Sequence, residues 1–261
     1  MKAEVTVVIP SYNPARYLIE ALDSVFLQTY KGWKIIIVDD ASTDHSLSLV
    51  EEYIDNKRVK LVQNEVNMGQ SECMNIGLTL TTTPYLIQLD ADDWLYPNAL
   101  EILMAEAENV SEKVGLISGN INVIMENEQG EAVNSFLMKN RSFSDPYDYL
   151  QANVSQWPRF YRTSALRAIG GWPTDDPYNG RFMEDKRVLT RLIEKFRFHW
   201  IDVPLYYHRR HGANQTHLFE VYQHITEWNI RDALVRWGDV YEPEFGINND
   251  GWIYLANLRE K

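Results

Sequence analysis

Short runs of strand-forming residues alternate with helical segments through the first 90 residues, and this alternation limits the folds open to the chain. The runs are rich in β-branched and aromatic residues, whereas the intervening segments place apolar residues on one helical face. Strands joined by helices of this length form right-handed crossovers, so the pattern predicts a parallel sheet covered by helices. We predict strands at residues 4–9, 33–38, 59–62 and 85–89, and helices at about 15–28, 46–54 and 71–80.

Polar residues follow three of these strands, two of them in acidic clusters. Because the carboxyl ends of parallel strands meet at one edge of a sheet, we expect these residues to share one crevice. One acidic cluster alone could be a solvated turn, but clusters at the same end of several strands favour a ligand site. Carboxylate oxygens select Mg²⁺ or Mn²⁺. The residues are Tyr12, Asn13, Asp39, Asp40, Asp90, Asp92 and Asp93.

The charge balance argues against two classes of partner. Acidic residues outnumber basic ones by 37 to 25, giving a formal net charge of -12, so non-specific attraction to nucleic acid or anionic lipid is not expected. The single cysteine, Cys73, cannot form an internal disulfide. No apolar run reaches the roughly 20 residues of a membrane span. We therefore expect a cytoplasmic protein, leaving open a homodimer and a peripheral contact with the inner face of a membrane.

The glycine-rich motifs that most often hold phosphates on parallel sheets are absent from the sequence. A ligand held by acidic loops and a divalent cation is therefore favoured, and a metal-bridged diphosphate meets that condition. Asp39 and Asp40 can accept hydrogen bonds from a base and a ribose. Tyr12 can stack on a base or pack within its loop.

Beyond residue 97 the pattern becomes mixed and predicts an antiparallel addition to the sheet. Glu184 and Asp185 open a helix after a loop rich in Asp, Pro, Asn and Gly. These two carboxylates either present a general base beside the sheet edge or simply favour the helix dipole. His211 follows two arginines and could ligate a metal, contact phosphate or lie at the surface.

Six motifs resemble those of family 2 glycosyltransferases of the GT-A fold in their order and approximate spacing. The resemblance covers about residues 4–212. It implies an α/β, Rossmann-like, mostly parallel sheet flanked by helices, and transfer of a sugar from a nucleotide diphosphate donor with inversion at the anomeric carbon. The motifs are Val7-Val8-Ile9-Pro10-Ser11-Tyr12-Asn13, Ile37-Val38-Asp39-Asp40-Ala41-Ser42-Thr43-Asp44, Asn67-Met68-Gly69 with Asn75-Ile76-Gly77, Asp90-Ala91-Asp92-Asp93, Gly170-Gly171-Trp172 and Glu184-Asp185.

The same resemblance implies roles for individual residues. Pro10, Tyr12 and Asp40 would hold the nucleoside, and Asp90 would approach the ribose or the donor sugar. Asp185 would be the catalytic base, with Glu184 beside it binding the acceptor. The other motif positions assigned to the donor are Asn13, Asp39, Asn67, Gly69, Asn75 and Ala91. The cofactor, Mn²⁺ or Mg²⁺, would be held by Asp92, Asp93 and His211.

Two departures from the family pattern refine these expectations. Met74 stands where the family usually has an arginine, so a contact expected from that arginine is missing and the choice of base is less well defined. Residues 233–237 lack the glutamine of the Gln-x-x-Arg-Trp motif found in processive synthases. A single-addition enzyme is therefore favoured over a processive one.

We thus expect one domain over residues 1–261, with a nucleotide-binding half at about 1–97, an acceptor-binding half at about 98–212 and a helical C-terminal tail at about 213–261. The donor would be a UDP-sugar and the acceptor a saccharide or a lipid-linked saccharide. Two alternatives stay open on the sequence. One is a signalling receiver domain, which also carries an acidic pair after a strand, and the other is a non-catalytic module that binds nucleotide sugars.

Overall fold

A computed structural model describes residues 3–15, 17–152, 154–212 and 218–261 of the chain. Arg16, within the first predicted helix, and residues 213–217, at the start of the predicted tail, lie outside the described residues. The first half alternates strands and helices as predicted, except that the predicted helix at 46–54 is divided at Val50. Its elements are β1 (Val5–Ser11), α1 (Tyr17–Phe26), β2 (Trp33–Asp39), α2 (Ser46–Leu49), α3 (Glu51–Ile54), β3 (Val59–Gln63), α4 (Gln70–Leu80) and β4 (Tyr85–Gln88).

The strands of this half form a parallel sheet, in the order β3-β2-β1-β4. Ser11 at the end of β1 is paired with Asp39 at the end of β2, so the residues that follow the two strands emerge side by side. Every residue of β1 is buried, as expected for a strand with helices on both faces. The predicted mostly parallel sheet is therefore confirmed.

The second half extends the same sheet with antiparallel neighbours, as predicted. β8 is antiparallel to both β4 and β6, while β9 runs parallel to β6 and antiparallel to β5. The two-residue strand β5 was not predicted, because a pair of residues gives no periodic signal. The elements are β5 (Trp94–Leu95), α5 (Ala99–Asn109), β6 (Val114–Glu126), β7 (Ala132–Met138), α6 (Pro146–Ala152), β8 (Arg159–Arg162), α7 (Thr163–Ile169), α8 (Glu184–Ile193) and β9 (Arg197–Arg210).

The core lies on both faces of the sheet, and alternate residues of β1 show the division. Val7 and Ile9 belong to the apolar cluster that includes Leu18 of α1 and Leu103 of α5. Val8 faces the opposite way, into a cluster with residues of α4, α7 and α8. This two-sided packing fixes the sheet edge along which the polar clusters lie. No helix in the described part of the chain has the length and apolar character needed to cross a membrane.

The C-terminal segment is only partly helical, which corrects the predicted helical tail. The tail contains the helix α9 (Phe219–Arg236), but β10 (Tyr241–Ile247) and β11 (Ile253–Glu260) follow it as an antiparallel hairpin. Gly238 has a φ of 102° just after the helix, a conformation that favours glycine and ends the helix. Residues 248–251 then supply Asn, Asp and Gly for the hairpin turn.

Candidate active site

The loops after β1 and β2 are tied together by Asn13. Its carboxamide oxygen accepts hydrogen bonds from the backbone N–H groups of Thr43 (2.7 Å) and Asp44 (3.2 Å), and its own N–H donates to the Ser42 hydroxyl at 2.9 Å. Asn13 adopts a φ of 50°, in the left-handed region that asparagine tolerates better than most residues. Pro10 lies buried in β1, whereas Tyr12 is 52% exposed. The loop thus presents the Tyr12 ring at the carboxyl edge of the sheet.

The adjacent carboxylates Asp39 and Asp40 have different surroundings. Asp40 is buried and accepts hydrogen bonds from the backbone N–H groups of Met68 (2.8 Å) and Gly69 (2.7 Å) and from the amide of Asn64 (2.9 Å). Asp39 is also buried, but its Oδ1 has no hydrogen-bond partner among the described residues. Asp40 therefore anchors the third motif to β2, and Asp39 keeps a buried acceptor oxygen at the end of that strand.

The third motif is held from two sides. Arg181 donates to the side-chain and backbone oxygens of Asn67 at 2.7 and 2.8 Å. Gly69 has a φ of 93°, and a Cβ at this position would lie 2.9 Å from Cγ of Arg181. The structure therefore places Asn67 and Gly69 against Arg181. Met74, in the position of the family arginine, is fully buried in the core.

Asn75, assigned to the donor in the sequence, serves another contact in the structure. Its side chain donates to the Trp172 carbonyl oxygen at 2.9 Å and accepts from the Trp172 N–H at 2.8 Å. The donor and the acceptor of the Asn75 side-chain amide are thus both bonded to the backbone of Trp172. Asn75 joins α4 to the turn that contains Gly171, so it supports the site through packing rather than by facing the crevice.

Asp90 lies at the centre of the site. Its Oδ1 accepts hydrogen bonds from Gln70 and Gln88, each at 3.0 Å, and its Oδ2 lies 3.2 Å from a guanidinium nitrogen of Arg159. The other terminal nitrogen of Arg159 lies 3.2 Å from Oδ2 of Asp185. A single buried arginine thus bridges the carboxylates predicted for the donor and for the base.

Glu184 and Asp185 begin α8 but have unequal environments. Glu184 is buried and accepts a hydrogen bond from Gln88 at 3.4 Å, while the side chain of Asp185 retains 16% of its exposure. Burial, reinforced by the negative charge of Asp185, raises the pKa of Glu184 to about 8. Glu184 is therefore protonated at neutral pH and can donate a hydrogen bond.

Asp92 and His211, two of the residues that the family resemblance assigns to the metal, contact each other. Oδ2 of Asp92 lies 3.0 Å from Nε2 of His211, and the His211 ring stacks on Tyr17 with ring centroids 4.8 Å apart. One carboxylate and one imidazole fit a divalent transition metal such as Mn²⁺. No group of three or more His, Cys, Asp or Glu side chains within the described ranges is arranged to hold a metal. A metal at Asp92 and His211 would therefore need further ligands from a bound diphosphate or water.

Asp93 points into the protein instead of joining this pair. Its carboxylate accepts a hydrogen bond from the Arg209 N–H at 2.7 Å and lies 3.2 Å from Nδ1 of His208, and the residue is 1% exposed. Ala91, two residues before Asp93, is also buried. Burial alone would lower the pKa of His208, but the charge of Asp93 raises it above the usual value. Asp93 thus fastens the acidic loop to β9.

Several polar residues of the site were not singled out in the sequence. Arg159 begins the short strand β8, directly before the buried Phe160 and Tyr161, and a charged residue beside buried aromatic residues is the signal that could have identified it. The guanidinium of Arg209 is enclosed by the rings of Tyr17 and Trp94. It also pairs with Glu20 and Glu126. These carboxylates come from distant elements, so no local pattern links them.

Comparison with known proteins identifies a family for this chain. The family described as Glycosyl transferase family 2 matches residues 6–170, which is more than half of the chain. The glycosyltransferase GlyA of Streptococcus pneumoniae serotype 4 is 30% identical over 75% of this chain and 26% of its own length. Chondroitin synthase of Pasteurella multocida is 27% identical over 80% of this chain and 21% of its own. The chain thus spans about a quarter or less of these two relatives.

Solved structures show the same fold at lower identity. S. aureus TarS 1-349 in complex with UDP-GlcNAc has a TM-score of 0.67 and 22% identity, over 90% of this chain and 66% of that one. The mannosyltransferase PcManGT from Pyrobaculum calidifontis, in complex with GDP-Man and Mn²⁺, has a TM-score of 0.63 and 19% identity, over 90% and 65% of the two chains. The sequence match and the shared fold together show that this chain belongs to glycosyl transferase family 2.

Proposed function

We propose that this protein transfers a sugar from a nucleotide diphosphate donor, a UDP-sugar, to a hydroxyl group of a saccharide or lipid-linked saccharide, with inversion at the anomeric carbon. Membership of family 2 supports a transferase and makes the receiver-domain alternative unnecessary. The solved neighbours were bound to UDP-GlcNAc in one case and GDP-Man in another, so the fold accommodates donors of this class.

The observation that carries the proposal is the convergence of Asp90 and Asp185 on Arg159. Asp90 follows β4, at the edge where the nucleotide motifs lie, and Asp185 begins α8. Each carboxylate is 3.2 Å from the same guanidinium. A base next to the sugar end of a donor is the arrangement that direct displacement at the anomeric carbon requires.

The side chains divide the chemistry among themselves. Asp185, which retains solvent contact, accepts the proton of the acceptor hydroxyl. The oxygen of that hydroxyl attacks the anomeric carbon from the face opposite the leaving group. Glu184, protonated at neutral pH, donates a hydrogen bond to the acceptor. Tyr12 and the free oxygen of Asp39 bind the nucleoside. Asp92 and His211 would hold Mn²⁺ or Mg²⁺, which when bound neutralises charge on the departing diphosphate.

An aromatic group beside the base supports a saccharide acceptor. Phe182 precedes α8 by two residues, and its ring contacts Tyr178 and Tyr222 edge to face, at centroid distances of 5.4 and 6.1 Å. Trp252 of the C-terminal hairpin contacts Tyr222 at 6.4 Å. All four side chains are partly exposed. Aromatic faces with polar edges suit the stacked, hydrogen-bonded recognition of sugar rings.

Thermal unfolding with UDP-GlcNAc, UDP and GDP, each with and without Mn²⁺, tests the donor and the metal together. A ligand at 100 times its dissociation constant adds about 2.7 kcal/mol, which for a chain of this size raises the midpoint by roughly 5 °C or more. We expect a shift that requires both a uridine nucleotide and Mn²⁺ and disappears in Asp92→Asn. A shift of equal size without metal would contradict the assignment of Asp92.

Release of UDP from UDP-GlcNAc, first with water and then with a panel of saccharides as acceptor, separates an enzyme from a non-catalytic binding module. We expect slow hydrolysis that saccharides accelerate and that Asp185→Asn abolishes while UDP binding is retained. Binding of the donor without turnover under every condition would favour the binding module. Lost UDP binding in Asp185→Asn would contradict the role of that residue as the base.

A further inference from the structure

Arg159 holds two carboxylates from different halves of the chain in fixed positions. The residue is 3% exposed, and its two terminal nitrogens each lie 3.2 Å from a carboxylate oxygen, one of Asp90 and one of Asp185. The planar guanidinium separates its two hydrogen-bonding nitrogens by a constant distance, which an ammonium group cannot do. The Trp157 ring lies 5.0 Å from the guanidinium carbon and limits its movement. The separation of the two carboxylates is therefore set by Arg159.

We propose that Arg159 is a positioning residue that selects Asp185, and not its neighbour Glu184, as the ionised base of the transfer reaction. It does so by pairing with Asp185 while that side chain still reaches the crevice. This inference rests on the proposed function, because it presumes that a base acts at this place.

The contacts of the two neighbouring acids support this selection. Asp185 pairs with the cation and keeps 16% of its side chain exposed, so it can be both ionised and accessible to an acceptor. Glu184 is buried and takes its hydrogen bond from the neutral amide of Gln88. Burial raises the pKa of Glu184 to about 8, which keeps the second acid neutral. Two adjacent acids with opposite protonation states can then act as base and hydrogen-bond donor.

A purely structural reading of Arg159 would make it a buried counter-charge for its acidic neighbours. The two readings differ in the result expected for Arg159→Lys. If Arg159 only supplies a counter-charge, this variant, which keeps the charge, retains the wild-type kcat. If Arg159 positions the base, the lysine variant loses kcat because an ammonium group lacks the two fixed nitrogens. Loss of the charge in Arg159→Met then moves the acidic limb of the pH–rate profile to higher pH, because an opposite charge at this distance favours the ionised carboxylate.

Steady-state UDP release from UDP-GlcNAc with Mn²⁺, between pH 3 and 9, would distinguish these readings in the 261-residue chain. Arg159→Met removes the positive charge. Arg159→Lys keeps the charge but lacks the two terminal nitrogens that the guanidinium holds at a fixed distance. Arg162→Met is the matched control, because Arg162 lies on the same strand and bonds to the Val114 carbonyl oxygen, outside the site.

We expect Arg159→Met to lower kcat at pH 7 by about 100-fold and to raise the acidic limb by about one pH unit or more. Arg159→Lys should retain the wild-type limb with a kcat about tenfold lower, since charge without bidentate geometry restores ionisation but not position. If the methionine variant does not fold, the kcat of the lysine variant still decides the question.

The proposal would be overturned by a wild-type acidic limb in Arg159→Met, by a wild-type kcat in Arg159→Lys, or by a loss confined to KM. A shift of equal size in Arg162→Met would do the same. Carbon-13 NMR of labelled aspartate carboxyl groups, with Asp185 assigned from Asp185→Asn, provides a readout that needs no turnover. The titration midpoint of that signal should be higher in Arg159→Met, and an unchanged midpoint would overturn the proposal. Absence of UDP-GlcNAc turnover in the wild type would count against the proposed donor, while the NMR titration would still test Arg159.

Discussion

The burial of Glu184 predicts a measurable dependence of stability on pH. The folded chain raises its pKa from the usual 4.5 to about 8, so the folded state binds this proton more tightly than the unfolded state does. The stabilisation is complete below about pH 4.5 and is lost as the pH rises through 8. This pKa difference corresponds to roughly 5 kcal/mol. The Glu184→Gln variant keeps the shape of the side chain but cannot ionise, so its stability should not fall with the ionisation of this residue.

We therefore expect the free energy of unfolding of Glu184→Gln to rise by about 4 kcal/mol relative to wild type between pH 5 and pH 9. Urea unfolding followed by tryptophan fluorescence, at one-unit pH intervals, measures this difference directly. Glu112→Gln serves as the control, because Glu112 is exposed and its replacement should leave the pH profile of the wild type. Parallel profiles for wild type and Glu184→Gln would refute the reasoning, since they would mean that Glu184 ionises as easily in the folded chain as in the unfolded one.

Three further predictions concern packing and the acceptor. Asp40→Ala leaves the buried N–H of Gly69 and the partly buried N–H of Met68 without their carboxylate and should lower the free energy of urea unfolding by about 3 kcal/mol; an unchanged value with weaker UDP binding would show a role in ligand binding alone. Gly171→Ala places a Cβ 2.4 Å from the side-chain oxygen of Asn75, whereas a Cβ at Gly170 meets nothing within 4 Å although its φ is also positive. The Gly171 variant should therefore melt several degrees below Gly170→Ala, and equal melting temperatures would contradict the clash. Trp252→Ala should raise the KM for a saccharide acceptor about tenfold with the KM for the donor unchanged; a change in the donor KM instead would move Trp252 away from the acceptor.

The parts of the fold that could be predicted from the sequence are those with local signals. The strands β1, β2 and β4 are short, buried runs followed by polar residues, and their parallel order follows from the helices between them. That topology alone predicted that their carboxyl ends converge. The hydrogen bonds of Asn13 with residues 43 and 44 show that the loops after β1 and β2 do meet.

The roles that could not be predicted depend on contacts between distant residues. Asp93 and Asp92 are adjacent, yet one is buried against β9 and the other faces His211, because a register set by more than 100 intervening residues decides which side each carboxylate takes. Asn75 belongs to a nucleotide motif but bonds to Trp172. The hairpin of the tail was missed because all residues from about 213 to 261 were described as one helical tail, although Gly238, with its positive φ, ends the helix there.

The Asn75 contact also bears on how the chain folds. Its amide reproduces, with one side chain, the paired donor and acceptor of a β-bridge between segments 97 residues apart. The strands β4 and β8, which are also far apart in the sequence, likewise pair with each other. Contacts of such separation close long loops, which slows folding and makes their formation a late event. The Trp172 amide proton should consequently exchange with solvent only when the two halves of the chain separate, so its exchange rate reports the cooperativity between the sheet edge that holds the nucleotide motifs and the helix that carries Asp185.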